Sequence, residues 1–228
     1  MRETEKPYII LSAAMTIDGK IASIRGDPDL SDEDDWKEVH KLRTQVDGIL
    51  VGKGTILKDD PKLHIKFHNH KGYYRIVVDS NLLIPIESKV ISFQPEIYPT
   101  IICTTENVSD AKIKKYENQK VNILRSGKGE RVDLRNLMPL LKEKGINTIL
   151  LEGGGTLNWS FVENDLINEI RLTVAPWIVG GKDATNLVEG VGFKTMSEAI
   201  RFELIELKQR NNYVILKYKR NQSRIKKK

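Results

Sequence analysis

The chain has 228 residues, 39% hydrophobic and 30% charged, with a formal net charge of +6. That is ordinary globular composition, long enough for one large α/β core, and no apolar run approaches a membrane span. The charge does not describe a nucleic-acid-binding body. The last twelve residues, KYKRNQSRIKKK, hold seven Lys or Arg and no acid, which leaves the remainder at −1. A single domain is expected over residues 1–219, with 220–228 as a solvated basic tail and neither a nucleic-acid nor a membrane partner. The start, MRETEKPYIILSAAM, does not resemble a signal peptide, because acids precede an apolar run of strand length. One cysteine, Cys103, excludes an internal disulfide and fits a reducing cytoplasm.

In chain order, YIILSAAM reads as a buried opening strand. SDEDDWKEVHKLRTQV reads as a helix, with Ser31 as N-cap and Asp32, Glu33, Asp34 and Asp35 complementing the dipole of the first turn. DGILVG, YRIVVDS and TIICTT are strands; SDAKIKKYENQ is a helix; VNILRSG is a strand. DLRNLMPLLKEKG is a helix closed by Gly145, and NTILLEGGG is a strand entering a glycine turn. Strands separated by helices imply a mostly parallel sheet covered on both faces. The end differs. EIRLTVAP, RFELIELKQR and NNYVILKYK read as strands without full helices between them, and Asn211-Asn212 suits a hairpin turn. Antiparallel strands should therefore close one edge.

The chemistry concentrates in LLEGGGTLNW. A strand ending at Glu152, a glycine turn and a helix from about Thr156 would place unpaired N–H groups and a positive helix end at the carboxyl edge of the sheet. That suits a pyrophosphate, since glycine lets backbone and ligand approach closely. The competing reading is a tight turn with no ligand. The pattern is neither the dinucleotide fingerprint G-x-G-x-x-G nor a P-loop. In VGKGTILKDDPKLHIK, Thr55 and Asp59 are four apart and share a helical face, placing a hydroxyl beside a carboxylate. Alone, that cluster reads as a capped turn broken by Pro61. HIKFHNH carries His64, His68 and His70, without the helical spacing or cysteines of a zinc site, so no metal is expected. Asp18 in TIDGK reads as a turn former with Gly19, and Trp36, Trp159 and Trp177 as packing residues.

Five ordered stretches carry a resemblance: MTIDGKIA, VGKGTILKDDPKL, RIVVDSNLLIP, LLEGGGTLNW and APWIVGG. Together they resemble the riboflavin-pathway reductases, both the stand-alone archaeal and fungal enzymes and the reductase half of the bacterial bifunctional deaminase–reductase. The resemblance runs to about residue 219. It implies an α/β fold like that of dihydrofolate reductase, a homodimer, and NADPH as cofactor. The implied reaction is hydride transfer to C1′ of the ribosyl group of 2,5-diamino-6-ribosylamino-4(3H)-pyrimidinone 5′-phosphate, through a ring-opened imine, giving the ribitylamino product. It carries over as cofactor contacts Thr55, Asp59, Asn81, Leu82, Leu83, Ile84, Val132, Gly154, Gly155, Thr156 and Leu157. As substrate contacts it carries over Asp27, Arg43, Leu63, Lys66 and Glu152. The residues agree in part, since a sugar phosphate needs cations and Arg43 and Lys66 sit at element ends. No side chain stands out as an obligatory acid, so no catalytic residue is assigned; hydride transfer needs mainly positioning.

The chain departs from the family pattern in places. Leu83 stands where many relatives have arginine, which leaves NADH open beside NADPH, although Lys128 or Arg131 could take that role. Ser12 stands where relatives often carry Asn, and Lys66 where bacterial enzymes have arginine. No zinc-deaminase pattern is present, so the chain is not expected to deaminate its own substrate. The resemblance to the stand-alone enzymes, which reduce before deamination, implies the diamino-pyrimidine rather than the uracil form as substrate. A pterin or folate reductase of the same fold is the alternative, and a polyanion-binding role for the tail is a third reading.

Overall fold

The computed structural model describes residues 5–221. Its elements are β1 (Tyr8–Thr16), α1 (Glu33–Arg43), β2 (Gly48–Gly52), α2 (Lys53–Asp59), β3 (Tyr74–Val78), α3 (Lys89–Ser92), β4 (Thr100–Thr104) and α4 (Asp110–Glu117). There follow β5 (Asn122–Arg125), α5 (Leu134–Glu143), β6 (Thr148–Leu151), α6 (Gly155–Glu163), β7 (Glu169–Ala175), β8 (Phe202–Arg210) and β9 (Tyr213–Arg220). These strands form one nine-stranded sheet in the order β5-β4-β3-β2-β6-β1-β7-β9-β8. Every pairing from β5 across to β7 is parallel, while β7–β9 and β9–β8 are antiparallel. The hairpin expected at Asn211-Asn212 joins β8 to β9, with Arg210 opposite Tyr213.

Near-continuous apolar runs in the central strands follow from burial on both faces. Neighbouring side chains on a strand point to opposite sides. Ile10, Ile49, Val51, Val77 and Ile102 therefore pack on one face with Ile56 of α2, Val90 and Ile91 of α3, and Ile113 and Tyr116 of α4. Ile9, Leu11, Leu50, Ile76 and Ile101 pack on the other with Leu137, Met138 and Leu141 of α5 and Phe161 of α6. The three-layer arrangement expected from the alternation is present. Gly145 follows α5 at φ +82, where a side chain would be strained.

Three expectations need correction. The first helix is shorter than 31–46, and its N-cap is Asp32, not Ser31; the Asp32 carboxylate accepts the Asp35 N–H at 2.8 Å. Asp35 does stand in the first turn, and it has a second role there. It is buried and accepts from Arg171 Nη2 at 3.0 Å, Thr173 Oγ1 at 2.6 Å and Ser31 Oγ at 2.7 Å, which bolts the start of α1 to β7. Of the tryptophans, only Trp159 packs inside, edge-on to Phe193, while Trp36 and Trp177 are about half exposed. β9 runs to Arg220, one residue past the expected domain end, and the tail from 222 lies outside the described residues.

Candidate active site

β2 and β6 are neighbours and parallel, so both end at the same edge of the sheet. Beyond that edge Gly52 donates its N–H to the Gly153 carbonyl at 2.9 Å, tying the two glycine turns together. Over them lies a cavity of about 1220 Å³. Its wall includes Thr55 and Asp59 of α2, Asn81, Val132, and Gly154, Gly155, Thr156 and Leu157 at the start of α6, together with Arg43 and Glu152. Ten of the residues carried over as cofactor or substrate contacts therefore meet around one space.

The three glycines answer to three different constraints. Gly153 has φ +85, a conformation that side-chain-bearing residues rarely adopt. At Gly155 a Cβ would stand 2.4 Å from the Asn186 carbonyl oxygen and 2.7 Å from Glu189 Cγ, so its absence admits the protein's own chain. A Cβ at Gly154 would meet nothing within 4 Å, and only this glycine opens onto unfilled space. Gly154 is the N-cap of α6 and makes no side-chain cap bond, and the first N–H groups of a helix have no partner within it. The positive helix end is partly answered by Glu189, whose carboxylate accepts from Thr156 Oγ1 at 3.3 Å and the Asn186 N–H at 3.3 Å.

Arg43 and Glu152 form a bidentate ion pair across the cavity floor. Nε and Nη2 each lie 2.8 Å from a carboxylate oxygen, and Nη1 donates to the His64 carbonyl at 3.0 Å. Burial disfavours the guanidinium's charge, but the attraction of Glu152 prevails and holds the Arg43 pKa above its ordinary value. The arginine expected to meet a substrate phosphate is thus committed to Glu152. The pair is instead a rigid polar floor whose edge faces the cavity.

The other residues expected at the site fall elsewhere. Leu82 and Ile84 are fully buried in the core, and Leu83 is half exposed and off the cavity wall. Their backbone explains the motif. The buried Asp79 carboxylate accepts the N–H groups of Leu83 and Ile84, and it holds a turn in which Leu82 has φ +55. That turn presents Asn81 to the cavity. Leu63 is buried with φ 44, and its carbonyl accepts from Tyr73 Oη at 2.8 Å. Lys66 is exposed and off the wall; its N–H donates to His40 Nδ1 at 2.9 Å. Asp27 is exposed between Gly26 and Pro28, which do line the cavity.

His40 is buried near Arg43, His64, Lys66 and His68. Desolvation, then those charges, push its pKa down to about 4, so it is a neutral hydrogen-bond acceptor at pH 7. Asp18 accepts from Thr16 Oγ1, Gly180 N–H and Val179 N–H, which draw its pKa down to about 2 and fix the APWIVGG loop as well as its own turn. His70 bonds Tyr98 Oη at 2.7 Å, and His64 sits edge-on to Phe93. Among the described residues no three His, Cys, Asp or Glu are placed to hold a metal ion.

Wall residues that sequence reasoning passed over include Lys53, Lys58 and Ser80, and the wall also holds Trp36 and Asp35, which read there as a packing residue and a dipole acid. Ser80 had a signal, since it closes the YRIVVDS stretch read as a strand, two residues past the end of β3. Its carbonyl accepts from Thr104 and Thr105, and its hydroxyl accepts the Val132 N–H at 3.1 Å.

The family described as the RibD C-terminal domain matches residues 7–216. A 2,5-diamino-6-ribosylamino-4(3H)-pyrimidinone 5′-phosphate reductase of Methanothermobacter thermautotrophicus is 40% identical over 202 residues, covering 87% of this chain and 91% of that one. A protein of the same name from Aquifex aeolicus is 34% identical, covering 92% of each. Among solved structures, Acinetobacter baumannii RibD superposes with a TM-score of 0.79 at 23% identity, covering 96% of this chain but 59% of that longer one. The architecture is accordingly the dihydrofolate-reductase-like α/β fold expected from the motifs. A match over nearly the full sheet, with relatives of this identity over most of their own length, places the chain in the RibD C-terminal domain family.

Proposed function

We propose that the protein reduces the ribosyl group of 2,5-diamino-6-ribosylamino-4(3H)-pyrimidinone 5′-phosphate to the ribitylamino product in riboflavin biosynthesis, with NADPH as reductant. The observation that carries this reading is the meeting of the α6 N-terminal turn, open at Gly154, with the Arg43–Glu152 floor in one cavity. When bound, the nicotinamide supplies a hydride. In the substrate a C1′–H bond forms, the C1′–O4′ bond breaks and O4′ takes a proton.

The cavity residues suit these ligands. Gly154 leaves space for a pyrophosphate beside the unpaired N–H groups of α6. Thr55 and Asp59 offer hydrogen bonds to ribose hydroxyls from one side, and Asn81 and Val132 bound the space on the other. Glu152, fixed by Arg43, orients a donor-rich pyrimidine through whatever acceptor capacity the pair leaves. Positioning of this kind, with water displaced by Trp36 and Leu157, is the part the protein contributes.

We further propose that residues 1–219 act as one reductase unit in the cytoplasm, and as a homodimer. The dimer reading is supported by β8, an edge strand on which Leu204, Ile205 and Leu207 are all more than half exposed. Light scattering of the purified protein tests it. The activity is tested by following nicotinamide absorbance with NADPH or NADH and each of three substrates: the diamino-pyrimidine, its uracil form and dihydrofolate. Oxidation that depends on the diamino compound is expected. Oxidation with dihydrofolate alone would sink the assignment, and the ratio of the two cofactors reads the effect of Leu83.

A further inference from the structure

With Arg43 paired to Glu152, the positive charge that complements the α6 N–H groups at a bound phosphate has to come from another side chain. Four cationic side chains line it: Arg43, Lys53, Lys58 and Arg131. Among the described residues neither Lys53, Lys58 nor Arg131 has an ion-pair partner. Lys58 differs from a free surface lysine in one respect. Its Nζ lies 1.7 Å from where a Cβ of Gly26 would stand, and its Cε 2.2 Å away. The ammonium occupies a notch that exists because residue 26 has no side chain. The notch is built. Gly26 is buried, has φ +80 and donates its N–H to Ser23 O at 2.7 Å, while Ser23 donates to Asp27 O at 3.0 Å. That loop joins β1 to α1 and Lys58 belongs to α2, so the contact brings these two parts of the cavity wall together.

We propose that Lys58, seated over Gly26, is a cation that binds a ligand phosphate in this cavity. The inference deepens the reductase reading and rests on it for the identity of the ligand. Two ligands carry such a group: the substrate's 5′-phosphate and the cofactor's pyrophosphate. Lys58 is an exposed residue, so solvent screens its charge, and a charge-assisted contact from it to a phosphate sets a loss of about 10-fold when the charge is removed.

The test compares wild type with Lys58→Met, Lys58→Arg and, as an equal charge loss away from the cavity, Lys71→Met. Three quantities are measured: affinity for inorganic pyrophosphate by calorimetry, affinity for NADPH by fluorescence, and kcat/KM for the phosphorylated substrate against its dephosphorylated riboside. A tenfold or greater loss in Lys58→Met confined to the phosphorylated substrate, restored in Lys58→Arg, supports the proposal and assigns the substrate phosphate. A loss in pyrophosphate and NADPH binding, with the riboside ratio unchanged, supports it and assigns the cofactor. Changes below about twofold in all three, or losses matched by Lys71→Met, overturn it. If wild type reduces no substrate, the reductase reading fails, and the pyrophosphate and NADPH measurements still decide the role of Lys58.

Discussion

Arg43→Met tests whether the cavity floor is a buried ion pair. The two side chains are 8% and 14% exposed, and two 2.8 Å hydrogen bonds join them. Removing one partner leaves the Glu152 carboxylate buried without a counter-charge and orphans the His64 carbonyl. A buried pair broken from one side costs about 3–5 kcal/mol. For a chain of this size each kcal/mol moves Tm by roughly 2–4 °C, so a fall of about 6–20 °C is expected. Glu152→Met should lose a similar amount, because it strands the guanidinium instead. The double variant Arg43→Met/Glu152→Met removes both charges and fills the space with apolar atoms. It should recover most of the loss, giving a coupling of at least about 2 kcal/mol in a double-mutant cycle. Urea denaturation of the four proteins measures it. Single losses below about 0.5 kcal/mol that simply add would refute the reasoning, and would return Arg43 to being a mobile cation available to phosphate.

Gly154→Ala should keep the stability within about 0.5 kcal/mol of wild type while weakening NADPH binding, whereas Gly155→Ala should lower Tm by displacing the Asn186–Glu189 segment; thermal melts and cofactor titration separate the two. Asp79→Asn replaces a charged acceptor of two N–H groups by a neutral one, at about 1 kcal/mol per bond, and should raise the NADPH KM with kcat changed less than about twofold; a kcat loss at unchanged KM would contradict a positioning role. His40 is neutral when folded and has its pKa lowered from 6.5 to about 4, so the unfolded chain binds the extra proton between those values. Its contribution is complete above pH 6.5 and is lost as pH falls toward 4, so the Tm of wild type should drop across that window more steeply than that of His40→Asn.

Much of this was readable because it rests on local physics. Buried parallel strands must be apolar on both faces, and TILL and GILV are. A hairpin turn wants residues that tolerate positive φ, and Asn211 has φ +52. What stayed hidden depends on partners distant in sequence. Arg75 is the second residue of the core strand β3, fully buried, and donates to the carbonyls of Lys62, Lys89, Phe93 and Tyr98. Nothing in RIVVD announces that the α2–β3 loop, α3 and the α3–β4 loop will bring four carbonyls to it. Arg43 and Glu152 are 109 residues apart, so each could be read as a ligand contact while the ion pair between them stayed out of view. Asp35 read as a dipole acid for the same reason, since Arg171 and Thr173 lie 136 and 138 residues away.

The glycine run shows how far composition alone can carry a functional argument. Three adjacent glycines look like one device for admitting a ligand. Gly153 is required by its backbone angle, and Gly155 by the carbonyl of Asn186. Both would be needed in a protein that bound nothing. Only Gly154 faces space that a Cβ would enter without meeting protein, so the case for a pyrophosphate rests on one residue and on the helix end behind it. The same division explains the 81–84 turn. Its apolar side chains belong to the core, and what reaches the cavity is Asn81, on a backbone shaped by Asp79. In both places a residue type that reads as a contact is in part a support: Gly155 makes room for Asn186, and Leu82 and Ile84 fill the core beneath the turn that carries Asn81.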